Sequence, residues 1–271
     1  MNTLPTATPE QLFHYTTPAG ALGIIDSGEV WATMIHYMND SQEFRYALDL
    51  ARSLIVEMDG VSEQVRRLVA DEFLRTVRSV AVFVFSLTER NDLLSQWRAY
   101  SSSRGGYSLG FSRDVLGGIT AEDSAILVRC VYDRDSQVAL LKPVLHEMLE
   151  AASAMPIDAH GIELYRTFAE QFTAAAATIK HPSFDEEREW RLIFGPGVDP
   201  ARTGARTGGG LVIPYYRCSI RRGGKYPIST IVVGPSPNAD LAARSLRYVT
   251  TNQFGWPAKI TFSQSPFRPL D

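Results

Sequence analysis

Leu12-Phe13-His14-Tyr15-Thr16-Thr17, followed by Gly23-Ile24-Ile25-Asp26-Ser27-Gly28 and Glu29-Val30-Trp31-Ala32-Thr33, reads as strand, capped helix, glycine stop and second strand. Thr16 or Thr17 is placed to cap a helix that starts at Pro18, since proline suits a first helical turn. Leu22, Ile24 and Ile25 fit one face of that helix, and Gly28 fits its left-handed C-cap. Neighbours on a strand point to opposite faces. One of His14 and Tyr15 is therefore expected in a core and the other in a cleft. Two readings follow: a packed ring pair, or a stacking ring and a hydrogen-bond donor holding a ligand. A neutral histidine can donate to a ribose hydroxyl.

Outward from this stretch, Asn39-Asp40-Ser41-Gln42-Glu43 looks like a helix start, with Asp40 and Glu43 at capping-box spacing. A second helix is expected over about 62–78, capped by Ser62. Val80 to Ser86 is a β-branched and aromatic run, as in a strand buried on both faces. Asn91 to Tyr100 reads as a short helix capped by Asn91 or Asp92. Tyr107 to Phe111 and Ala125 to Tyr132 read as strands. Two long helices over about 136–179 then form a helical insertion. Glu189 to Phe194, Leu211 to Tyr216, Ile228 to Val233 and Lys259 to Thr261 read as strands, and Leu241 to Thr251 as a helix. Gly204 to Gly210 reads as a mobile loop. Runs of strands interrupted by helix pairs point to an α+β fold with mixed or antiparallel sheets. No repeat or linker stands out, so 1–271 is expected as a single domain, with a flexible lead over 1–10 and a core over about 12–262.

The chain has 271 residues, 45% hydrophobic and 21% charged, with a formal net charge of −3. These are values of an ordinary globular protein, and no basic run demands nucleic acid. Cys130 and Cys218 have no metal-ligand spacing and are expected as reduced, buried thiols. Met1 to Glu10 lacks the pattern of a signal peptide, and no apolar run is long enough to span a bilayer. A cytoplasmic location without membrane contact is the expectation.

Three further clusters could carry chemistry. Asn39, Asp40 and Glu43 make either a plain helix start or part of a cleft wall; an acidic cap disfavours phosphate there. Ser86 ends a buried strand, where polar groups line pockets. Trp97 and Tyr100 lie three apart on one helix face, for core packing or for a ligand. Lys180-His181-Pro182-Ser183-Phe184-Asp185-Glu186-Glu187-Arg188-Glu189-Trp190-Arg191 leads an acidic turn into an aromatic strand. Glu187, Glu189 and Arg191 share one side of an extended chain, either as a surface ion-pair ladder or as a functional set. Carboxylates placed so can hydrogen-bond a ribose hydroxyl and steady positive charge on a sugar carbon as a leaving group departs. The five histidines show no i, i+4 pairing, and there is no nucleophile elbow, P-loop or dinucleotide fingerprint.

The residues Phe13-His14-Tyr15-Thr16-Thr17, Gly23-Ile24-Ile25, Ser27-Gly28, Trp31-Ala32-Thr33, Asn39-Asp40 and Glu43 resemble the bacterial domain-of-unknown-function family 2971 (DUF2971). Phe85-Ser86, Trp97-Arg98, Tyr100, Gly106, Gly110-Phe111 and Phe184 through Arg191 carry the same resemblance, which covers about residues 12–235. More distantly, a histidine, an aromatic and a threonine before a helix ending in Ser-Gly resemble the opening of ADP-ribosyltransferase-like domains. That similarity implies a split-sheet core with NAD as substrate. It implies a first-strand histidine on the ribose, matched by His14, and a late-strand catalytic glutamate, matched by Glu189 with Glu187 two before it. The middle aromatic that stacks on nicotinamide is matched by Tyr107, with Tyr100 as the alternative.

The catalytic candidates are thus Glu189, Glu187 and His14. The candidates for holding the nucleotide are His14, Tyr15, Thr16, Asn39, Ser86, Trp97, Tyr100, Tyr107 and Arg191. The leading expectation is a transferase passing ADP-ribose from NAD to a protein or nucleic-acid acceptor, as a toxin or phage-defence effector would. One competing expectation is a non-enzymatic module that binds a ligand or partner in a degenerate cleft. Another is a Mg²⁺-dependent nuclease or hydrolase using Asp40, Glu43, Glu187 and Glu189.

Overall fold

The computed structural model describes residues 5, 8–38, 41–77, 79–102, 105–154, 159–221 and 227–266. Most of the 1–10 lead, together with Asn39 and Asp40, lies outside the described residues. In chain order the elements are β1 (Gln11–Thr16), α1 (Pro18–Ser27), β2 (Glu29–Met34), α2 (Ser41–Glu57), α3 (Glu63–Val77), β3 (Phe83–Thr88), α4 (Leu94–Tyr100), β4 (Tyr107–Ser112), α5 (Arg113–Glu122) and β5 (Ile126–Arg129). There follow α6 (Arg134–Ala154), α7 (Ala159–Ala176), β6 (Glu189–Phe194), β7 (Thr203–Gly208), β8 (Leu211–Ser219), β9 (Ile228–Val233), α8 (Ala239–Tyr248) and β10 (Lys259–Phe262).

The opening stretch folds as its residues dictate. Thr17 accepts from the Gly20 N–H at 3.2 Å, Pro18 opens α1, and Gly28 closes it at φ 67° with its N–H on the Ile24 carbonyl. The ten strands form one mixed sheet in the order β10-β9-β4-β1-β3-β2-β8-β7, with β6 on β3 and β5 on β6. Among the paired strands only β9 and β10 run parallel. This is the α+β architecture with a mostly antiparallel sheet that the alternation of strand runs and helix pairs calls for.

The sheet divides at β3. One edge of β3 pairs along its whole length with β6. The other edge is shared: β1 meets it only at Phe13↔Thr88, and β2 only at Thr33↔Val84 and Met34↔Phe83. Among the described residues Phe85, Ser86 and Leu87 therefore have no strand partner on that edge. The two strands that part there, β1 and β2, are the strands joined by α1.

Two hydrophobic clusters cover the two sides. The first gathers Leu12, Phe85, Phe111, Trp190, Phe194 and Ile231 under α1, α5 and α8. The second packs α2, α3, α6 and α7 against Val84 and Ile193. The helical insertion expected over 136–179 is thus α6 and α7, which build the second core.

Three expectations need correction. The glycine-rich segment after Thr203 is no loop: Thr203–Gly208 pairs through all six residues with β8, and only Gly209 and Gly210, at φ 56° and 77°, form the turn. Gly204 is needed there because a Cβ would sit 2.8 Å from the Tyr215 ring. The helix expected from Asn91 begins only at Leu94, because Asp92 does not cap it; its carboxylate accepts from Trp97 Nε1, Ser263 Oγ and the Gln264 N–H, each at 2.6 Å. An unexpected helix, α5, follows β4, capped by Ser112 and burying Val115, Leu116 and Ile119; Gly117 and Gly118 mask its periodicity.

Candidate functional site

The divided edge of β3 leaves a carbonyl to be satisfied, and His14 satisfies it. His14 Nδ1 lies 2.9 Å from the Ser86 carbonyl oxygen, which can only accept, so Nδ1 carries the proton. The imidazole lies against Phe85 with ring centroids 4.4 Å apart. Burial lowers its pKa and the Ser86 hydrogen bond opposes that; the net direction is downward, toward the neutral ring. With Nδ1–H spent on Ser86, Nε2 offers a lone pair. The donor role expected of the neutral ring thus becomes an acceptor role.

Tyr15, one position on, points the other way and is buried. Its hydroxyl donates to the Arg90 carbonyl at 2.9 Å and accepts from the Leu93 N–H at 2.8 Å. Its ring meets Trp97 edge-on at 4.5 Å. Tyr15 therefore anchors the start of α4, and α4 in turn brings Gln96 and Tyr100 to the division in the sheet.

From the other side comes β6. Trp190, Leu192 and Phe194 belong to the first core and Ile193 to the second, so Glu189 and Arg191 stand on the second side. Glu189 Oε1 accepts from Arg191 Nε at 2.8 Å. Its Oε2 accepts from Lys180 Nζ at 2.6 Å and from Arg191 Nη2 at 3.2 Å. The same Lys180 Nζ donates to Glu187 Oε2 at 2.6 Å. Burial pushes the Glu189 carboxyl up, but Arg191 and then Lys180 outweigh it and hold the pKa down at about 2. Two carboxylates and two cations make a neutral buried set, which is what burial of charge requires.

These groups meet in one small pocket, partly open to solvent, lined by Phe13, His14, Tyr15, Ser86, Leu87, Thr88, Gln96, Tyr100, Glu187 and Glu189. His14 and Glu189 reach it from opposite sides of the sheet division: His14 shares its side with Leu12 and Phe85, Glu189 with Arg191 and Ile193. The Ser86 hydroxyl is buried and has no hydrogen-bond partner among the described residues. A polar atom left so at a pocket wall awaits a water or a ligand.

Of the sequence candidates, the pocket brings together His14, Tyr15, Ser86, Tyr100, Glu187 and Glu189. Arg191 lies behind Glu189. Trp97 is buried against Tyr15, with Nε1 on Asp92 at 2.6 Å. Thr16 and Tyr107 pair with each other across β1 and β4, outside the lining residues, and Tyr107 packs half-buried against the first core. Asn39 lies outside the described residues. Among the described residues no group of three His, Cys, Asp or Glu could hold a metal ion, and no helix is long and apolar enough to cross a membrane. Cys130 and Cys218 are free and buried.

Sequence reasoning missed Lys180, Gln96 and Thr88. Thr88 Oγ1 donates to the Glu187 carbonyl at 2.6 Å and so fixes the turn that carries Glu187. A signal for Lys180 did exist. Glu187, Glu189 and Arg191 sum to one surplus negative charge, and a buried strand cannot carry that without a second cation.

Residues 96–192 match the model of a family described as a protein of unknown function. That family is DUF2971. The matched segment runs from α4 to β6, so it holds Gln96, Tyr100, Lys180, Glu187 and Glu189, while His14 and Ser86 precede it. The motif resemblance is to this same family. No curated protein and no solved structure matches the chain. The DUF2971 description carries no activity, so function has to be argued from the pocket.

Proposed function

We propose that the pocket holds the ribose of NAD and that the protein transfers ADP-ribose to a protein or nucleic-acid acceptor. One observation carries the reading: a first-strand histidine and the late Glu-x-Glu pair line one pocket where the sheet divides. A split core with these groups on its lips is what the distant similarity to ADP-ribosyltransferase-like domains leads one to expect. In the reaction the ribose C1′–N bond breaks and nicotinamide leaves with the bonding electrons. The acceptor's nucleophilic atom then bonds to C1′ and releases a proton. Positive charge grows on the sugar in between, and a nearby carboxylate lowers its energy.

His14 Nε2 accepts from a ribose hydroxyl, and the orphaned Ser86 hydroxyl provides a second contact. Tyr100, rather than Tyr107, is the pocket aromatic available to nicotinamide. Glu187 has 15% of its side chain exposed against 6% for Glu189, so Glu187 is the more open of the two carboxylates at the pocket wall.

The test is incubation with labelled NAD and candidate acceptors, alongside calorimetry. NAD binding that depends on His14, and transfer lost in Glu189→Gln, support the reading; no NAD binding to the wild type sinks it. A second reading, a binding module without catalysis, is favoured by one observation: both Glu189 oxygens are already held by cations. It expects ligand binding that survives Glu189→Gln and fails in His14→Ala, with no transfer. The Mg²⁺-dependent reading has weaker support, since Lys180 and Arg191 hold carboxylate oxygens it would need.

A further inference from the structure

Glu189 opens β6 and Glu187 ends the 3-10 turn before it, but the cation that joins them comes from the helical layer. Lys180 follows α7. Its N–H donates to the Val131 carbonyl at 3.1 Å and its carbonyl accepts from Gln137 Nε2 at 2.9 Å. Gln137, buried on α6, has two amide hydrogens shared among the Lys180, Val131 and Tyr132 carbonyls, and its Oε1 accepts from the Tyr46 hydroxyl. The lysine backbone is thus pinned independently of the glutamates, and its stem passes Phe184, with Nζ 5.0 Å from the ring centre. From that anchor Nζ reaches Glu187 Oε2 and Glu189 Oε2, each at 2.6 Å.

We propose that Lys180 is a positioning residue of the pocket: it fixes the Glu187 and Glu189 carboxylates side by side at the wall, so that together they receive an uncharged, hydroxyl-bearing group such as a ribose. The choice of ribose rests on the NAD reading; the positioning does not. Lys180 and Arg191 bring two positive charges to the two carboxylates. Titratable groups among the described residues that face the set include Tyr132, whose hydroxyl accepts from the Glu189 N–H at 2.8 Å, Cys130 beside it, and His14 across the pocket. Without Lys180 the two carboxylates lose the cation they share, and like charges so placed favour a proton on one of them.

The experiment compares wild type, Lys180→Met and Lys180→Arg. Glutamate carboxyl carbons are followed by NMR without ligand, and NAD affinity by calorimetry, both across about pH 5–8, above the ordinary glutamate range. The expected result is no titration midpoint at Glu187 or Glu189 in that window for wild type or Lys180→Arg, and one new midpoint in Lys180→Met. NAD affinity should fall about tenfold in Lys180→Met and vary with pH through the new titration, while Lys180→Arg stays within about threefold. A folded Lys180→Met without a new titration, or an affinity loss flat in pH, overturns the proposal. Should Lys180→Met not fold, the charge-balanced double variant Lys180→Met/Glu187→Gln should fold, and its failure also overturns it. Absence of NAD binding in the wild type counts against the NAD reading alone, because the carboxyl titration is read without ligand.

Discussion

At the scale of single residues, His14 and Arg191 set how the site responds to pH and mutation. Burial lowers the folded pKa of His14 below its ordinary value of 6.5. The unfolded chain therefore takes up a proton near that value while the folded chain does not. Stability should fall as pH drops through about 6.5. Urea unfolding at pH 7 and pH 5 should show this fall, and His14→Gln should reduce it. Glu189 acts in a lower window. Its folded pKa of about 2 lies below the ordinary 4.5, so its contribution is complete above 4.5 and is lost as pH falls toward 2. Arg191→Met leaves a buried carboxylate with Lys180 alone. It should cost about 3–5 kcal/mol in urea unfolding, as does removing one partner of a buried ion pair.

At the scale of elements, the pocket exists because β1 and β2 part along β3 and α4 is clamped over the opening. The clamp has a tight point. A Cβ on Gly234 would lie 2.7 Å from the Trp97 ring and 3.0 Å from the Gly106 carbonyl, to which Gly234 itself donates at 2.9 Å. Gly234→Ala should push Trp97, and with it Gln96 and Tyr100, costing about 1–3 kcal/mol of stability. NAD affinity, measured by calorimetry, should weaken several-fold although Gly234 does not line the pocket. The hairpin of β7 and β8 supplies a second test. Gly209→Ala meets no steric contact but holds a left-handed φ, so it should cost about 1 kcal/mol through backbone strain alone. Elements were legible where local chemistry decided them: Thr17, Pro18 and Gly28 bound α1, and the β-branched run marks β3. They were hidden where distant partners decided them. Gly204 belongs to a strand because its segment pairs with β8, and Asp92 fails as a cap because Trp97, Ser263 and Gln264 claim it.

For the whole molecule, the pocket joins three parts that sequence order keeps separate: the first strand with His14, the β3 edge with Ser86, and the β6 lip with the glutamates. Side-chain alternation gave His14 and Glu189 as candidates. It could not say that they approach from opposite sides of a divided sheet, because the division depends on two strands competing for one edge of β3. Nor could it name Lys180, which belongs to the helical layer and enters the site only when α6 and α7 dock on the sheet. The helical insertion is therefore part of the site as well as of the second core. The central claim is that this junction holds the ribose of NAD. The most direct measurement is calorimetric titration of NAD into the wild type and His14→Ala. The account predicts binding to the wild type, weakened at least tenfold in His14→Ala, about 1.4 kcal/mol or more for the lost ribose contact. No binding to the wild type, or equal binding to both proteins, would contradict it.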